Sequence, residues 1–166
     1  MMQSTGSVQS VPLHAYIPID RSHALLRGVS LPDRAAGVVM FTDISGFTPL
    51  AAALVQELGP LRGAEELTRQ LNLVYTSLID QVHSYHGSVI GFSGDAITCW
   101  FDQAAAPTGE QAAGRWAVTC AAAMQEAMQQ FTQIPTPGGT LVSLAVKVAV
   151  VSGPVRRYVV GAPEHG

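Results

Sequence analysis

Two apolar runs, Ser88 to Ser93 and Ala96 to Phe101, are separated only by Gly94 and Asp95, and a long amphipathic stretch leads into the first of them. Apolar, β-prone runs joined by a short Gly-containing pair predict a hairpin. In the preceding stretch, from about Gly63 to His86, Leu67, Leu71, Val74, Leu78 and Val82 recur every three or four residues. That period gives a helix one apolar face, with Gly87 as its C′ residue. A hairpin and a one-sided helix each need a cover, which constrains the chain to a layered arrangement.

The rest of the chain supplies the cover. Gly37 to Phe41 (GVVMF) reads as a short buried strand, stopping at Thr42-Asp43-Ile44-Ser45-Gly46. Thr48 caps the next helix, Pro49 suits its first turn, and Gly59-Pro60 breaks it. A third long helix is expected over about 109–131, with Trp116, Cys120, Met124, Ala127 and Phe131 on one side. Thr140 to Val151 reads as a strand, and Gly153-Pro154 as the turn into a last strand, Val155 to Val160. The chain ends at Gly161 to Gly166, just after a new hairpin begins. Residues 1–34 form an extended lead-in with a short helix at Ser22 to Arg27, ahead of a domain over 35–166. Strand, helices, strand, strand, helix, strand is the split βαβ or ferredoxin-like order, an α+β fold with the first strand between the third and fourth.

Composition limits function. With 48% apolar and 13% charged residues the chain can bury a real core, and so little charge suggests that a partner covers part of the apolar surface. A net charge of −3 with no basic stripe argues against nucleic acid. Cys99 and Cys120 fit neither a zinc spacing nor a disulfide framework, so free thiols in a reducing cytoplasm are expected. No run reaches the ~20 apolar residues that span a bilayer. His83 and His86 stand three apart on a helix without an evident third ligand, and a helix C-terminus favours histidine anyway.

Two aspartates carry the chemistry. The first strand ends at Asp43 and the hairpin turns at Asp95; if the first and third strands pair antiparallel, both carboxylates emerge at one end of the sheet. Neighbouring carboxylates repel, and a divalent cation such as Mg²⁺, shared with substrate phosphates, relieves the repulsion. Ile44 to Thr48 leads into a helix N-terminus, where free amides favour an anion, and Gly46 allows close backbone approach. An Asp closing a strand is equally an ordinary cap, and Gly-Asp an ordinary turn, so spacing alone leaves both readings open.

VVMFTDISGFTPL (38–50) and GSVIGFSGDAITCWF (87–101) resemble the two metal-site segments of class III adenylyl and guanylyl cyclases. The likeness is greatest to the first catalytic half of the bicarbonate-responsive soluble adenylyl cyclase type. It includes RGAEEL (62–67) and, more weakly, VKVAVVSGPV (146–155). The resemblance implies a cyclase or palm-type sheet and conversion of ATP to cyclic AMP and pyrophosphate, in intracellular signalling. It implies two Mg²⁺ or Mn²⁺ ions held by Asp43, Asp95 and the Ile44 carbonyl. Ser45, Gly46, Phe47 and Thr48 match the turn whose amides hold the phosphates, with Gly94 beside Asp95. Gly91, four residues before Asp95, stands where many relatives carry the Lys or Glu that selects the base. The remaining base-contacting and transition-state residues fall after Gly166, so the chain is expected to be the N-terminal portion of a catalytic domain, inactive alone. It is expected to need a second cyclase domain, as a tandem half or another subunit. The alternative is a degenerate, non-catalytic module that binds nucleotide or mediates dimerisation.

Overall fold

The computed structural model describes residues 17–106 and 111–158. The chain divides into two compact units at Leu31–Pro32. In the first, helix α1 spans Ile19–Leu26, starting earlier than the sequence pattern indicated; Pro18 is its N-cap, and its carbonyl accepts from the Ser22 amide.

The second unit contains β1 (Arg34–Ser45), α2 (Phe47–Leu58), α3 (Pro60–Ser84), β2 (Ser88–Ser93), β3 (Ala96–Asp102), α4 (Gln111–Ala127), β4 (Ile134–Pro135), β5 (Leu141–Val142) and β6 (Ala145–Arg156). Four strands form one sheet in the order β2-β3-β1-β6, antiparallel throughout, and β4 pairs with β5 in a separate ribbon. This is the expected ferredoxin-like α+β layout with β1 between the hairpin and the last strand.

Alternation along β1 sets the layers. Val38, Met40, Thr42 and Ile44 are buried, and their β3 neighbours Phe101, Cys99 and Ile97 share that face. Leu50 and Leu54 of α2, Val74, Leu78 and Val82 of α3, and Ala117, Cys120 and Met124 of α4 close one core over it. Phe41 and Asp43 point to the opposite, open face.

Several sequence expectations need correction. Thr48 is not the cap of α2: Gly46 is, at φ +104°, and no side chain caps the helix. The strand continues through buried Ile44 to Ser45, which pairs with Ala145, so a single residue must reverse the chain, and the left-handed conformation there suits glycine. Gly87 is not the left-handed residue after α3. His86 is, at φ +61°, with its amide on the His83 carbonyl and the Gly87 amide on Val82. A tilted ring contact with Trp116, centroids 4.7 Å apart and planes 50° apart, accompanies the conformation of His86. Gly87 serves packing instead, since a Cβ would lie 2.6 Å from the Phe101 ring.

Gly153-Pro154 does not turn the chain. Both lie within β6, opposite Gly37 and Ala36; among the described residues β6 has a neighbour on one side only, and an edge strand tolerates a residue without an amide hydrogen. The segment before it is not one strand from Thr140: Leu141–Val142 pairs with Ile134–Pro135 instead. After Ala127 the chain tightens into a 3₁₀ turn at Met128–Phe131, where the sequence pattern had continued the helix. Gly109, Val159, Val160 and the closing segment Gly161 to Gly166 lie outside the described residues. No described helix is long and apolar enough to cross a membrane.

Candidate active site

Asp43 stands opposite Ala96 in the β1–β3 register. Asp95 directly precedes Ala96 in the hairpin turn, after Gly94 at φ +62°. Strand spacing and one residue's rise place the two aspartate Cα atoms on the order of 6 Å apart. Both side chains are exposed, and neither has a hydrogen bond or ion pair with a described residue. Two like charges at one sheet end, without a protein cation in contact, are two carboxylates close enough that a shared divalent cation would relieve their repulsion. Among the described residues no third His, Cys, Asp or Glu joins them, so backbone carbonyls, water or a ligand would complete any coordination.

The N-terminus of α2 follows three residues after Asp43. Its first backbone bond is Leu50 N to Gly46 O; Pro49 has no donor, the first turn holds no acid and no side chain caps it. The Phe47 and Thr48 amides therefore begin a helix that favours an anion at its end. Ser45 donates its hydroxyl to the Ala145 carbonyl at 3.3 Å, Phe47 packs against the core and Thr48 is exposed. Gly46 is pressed against the strand leading into β6: a Cβ would lie 2.3 Å from the Ser143 carbonyl oxygen.

On the other side of Asp43, Lys147 of β6 is its register partner. One row therefore crosses the open face as Ser93, Ala96, Asp43 and Lys147, with Asp95 at the turn. The sequence reading missed Lys147. Its available signal was that it is the chain's sole lysine, but its place beside Asp43 depends on pairing between distant strands.

A family model for the adenylate and guanylate cyclase catalytic domain matches residues 33–165, which includes both aspartates, the α2 turn and Lys147. The chain belongs to that family. Over 61 residues it is 38% identical to adenylate cyclase type 10 of Rattus norvegicus, a stretch that is 37% of this chain and 4% of that protein. The human protein of the same name matches at the same identity and coverage. Among solved structures, a bacterial light-regulated adenylyl cyclase aligns over 92% of this chain and 41% of its own, at 19% identity and a TM-score of 0.65. The dimeric guanylyl cyclase domain of the RhoGC fusion protein from the aquatic fungus Blastocladiella emersonii covers 80% of this chain and 67% of its own, at 18% identity and a TM-score of 0.55.

In this cyclase domain Gly91 pairs with Thr98 in the next row, Gly91, Thr98, Phe41 and Ala149, immediately after a β-bulge at Ile90. A Cβ there would meet nothing within 4 Å, so the missing side chain leaves open space and is not demanded by packing. Phe41 is 49% exposed and Val151 56%, so beyond the Asp43–Lys147 row part of the open face of the cyclase sheet is apolar. A cavity of about 780 Å³, lined by Val38, Arg115, Val118 and Ser152 among others, lies toward the opposite end of β1 from Asp43, apart from the carboxylates.

The cyclase domain's cysteines are buried free thiols, as expected; burial pushes both up to about 12, Cys120 adding to the effect at Cys99. His83 and His86 belong to no metal-binding group among the described residues.

Proposed function

We propose that this domain converts ATP to cyclic AMP and pyrophosphate, with Asp43 and Asp95 holding two Mg²⁺ or Mn²⁺ ions and the Ser45–Thr48 turn holding the triphosphate. The observation that carries the reading is the register of Asp43 with Ala96, which brings Asp95 alongside. The Ile44 carbonyl, at the end of β1 and on a residue whose side chain is buried, is a third oxygen donor in this reading. The α2 amides and the Lys147 ammonium meet phosphate charge from two sides, and Gly46 and Gly94 keep the approach unobstructed. Bound metal would neutralise the triphosphate and favour in-line attack of the ribose 3′-hydroxyl on the α-phosphorus. ATP is preferred over GTP here because the 61-residue likeness is to an adenylate cyclase.

A second cyclase domain is part of the proposal. The exposed Phe41–Val151 face supports it, as does the fungal neighbour described as dimeric. Gly91 reads no base edge, so base selection would fall to groups from elsewhere. Two buried free thiols suit a reducing cytoplasm.

The test is titration of Mn²⁺ into the chain and its Asp43→Asn and Asp95→Asn variants, with cyclic AMP assayed in the longer protein that supplies a second domain. Each variant is expected to weaken Mn²⁺ binding by more than about tenfold, the loss typical even of outer-shell groups, and to abolish cyclic AMP formation. Wild-type turnover by both variants would refute the assignment. Mg–ATP binding without turnover beside the second domain would favour a non-catalytic module instead.

A further inference from the structure

Glu57 lies in the last turn of α2, at the far end of that helix from Gly46. Three donors converge on its carboxylate: the Thr136 hydroxyl at 2.7 Å and the Thr140 hydroxyl at 3.0 Å on Oε1, and the Gly138 amide at 2.7 Å on Oε2. These bonds hold the carboxyl below its ordinary value of 4.5, the Thr136 hydroxyl contributing most. Thr136, itself buried, also accepts from the Thr140 amide at 3.1 Å, and its own amide donates to the Thr140 carbonyl at 2.8 Å. Gly138 admits the carboxylate because a Cβ would lie 2.5 Å from Glu57 Cδ. The loop between β4 and β5 is thus wrapped around one acid.

The same ribbon continues to the other end of α2. After Leu141–Val142 come Ser143, whose carbonyl abuts Gly46, Leu144, whose amide donates to Phe131 at 2.9 Å, and Ala145, whose carbonyl accepts from Ser45. A helix of 12 residues is about 18 Å long, and one short ribbon grips it at both ends.

We infer that Glu57 is a positioning residue: by clasping Thr136, Gly138 and Thr140 it sets the Ser143–Ala145 wall that holds the start of α2 in place. The inference rests on the proposed reading of that turn as the triphosphate seat. Glu57 touches no substrate; it acts through the ribbon.

The experiment compares the full chain with Thr136→Val, which keeps shape but removes the hydroxyl, Thr136→Ser, which restores it, and Glu57→Gln. Readouts are hydrogen exchange at the Leu50 and Leu144 amides, Mg–ATP affinity and Mn²⁺ affinity, each on protein shown by melting to be folded. Thr136→Val and Glu57→Gln are expected to speed exchange at both amides and to weaken Mg–ATP binding by about three- to tenfold, the size of one lost hydrogen bond. Mn²⁺ affinity should hold and Thr136→Ser should stay near wild type. Unchanged exchange at Leu50 and Leu144 would overturn the clasp whatever the nucleotide does. Faster exchange with unchanged Mg–ATP affinity would overturn the positioning role. Failure of the unmutated chain to bind Mg–ATP would sink the triphosphate-seat reading, and the positioning role with it.

Discussion

Replacing Gly46 by alanine tests the tightest point of the site. The residue has φ +104°, and a non-glycine residue held in left-handed backbone costs roughly 1–2 kcal/mol. The new methyl would also lie 2.3 Å from the Ser143 carbonyl oxygen and 3.3 Å from Leu144 Cα. Those are backbone atoms, so relief requires moving the strand entry or α2, and overpacking of this kind adds about 1–3 kcal/mol. The sum, about 2–5 kcal/mol, corresponds to a melting temperature lowered by roughly 4–20 °C at about 2–4 °C per kcal/mol for a chain of this size. Gly139→Ala is the control. Its φ of +88° carries a similar backbone penalty, but no atom lies within 4 Å of its Cβ position, so only about 1–2 kcal/mol is expected. Urea unfolding of both variants, read at the midpoint with the slope checked for constancy, separates the two contributions. Equal losses in the two variants would refute the close approach of Ser143 to the turn.

Gly87→Ala should destabilise by about 1–3 kcal/mol in the same urea assay, because its methyl meets the Phe101 ring and Val82 Cγ1, side chains that can yield only in part. Cys99 and Cys120 should resist a thiol reagent at pH 8 in the folded chain and react at once in urea. With folded values of about 12 against an ordinary 9.0, the unfolded thiols ionise first, so stability is full below pH 9 and falls as pH rises toward 12. Urea midpoints that do not fall between pH 8 and 10.5 would contradict this.

Local pattern made most of the layers legible. The Leu67 to Val82 repeat marks α3, although Gln70 is buried where Leu67 and Leu71 are only half covered. The hairpin around Gly94-Asp95 follows from composition over a dozen residues, and Asp43 and Asp95 are visible because each follows an apolar run, although β1 runs two residues past Asp43. What escaped depends on distant partners. Lys147 gains its place only through the β1–β6 register, and the Glu57 clasp needs Thr136 and Thr140, 79 and 83 residues away. Gly153-Pro154 misled because the pair usually signals a turn, and only a position at the rim of the sheet lets it stay extended. Gly87 meets a packing demand where a left-handed helix end was expected, and the reversal before α2 falls to Gly46 where a Thr48 cap was expected.

Among the described residues, β2 and β6 each have a neighbour on one side only. The bulge between Val89 and Gly91 disrupts the donor row of β2, and Pro154 removes one donor from β6. A foreign extended segment seeking to lengthen the sheet therefore meets an irregular ladder on either flank.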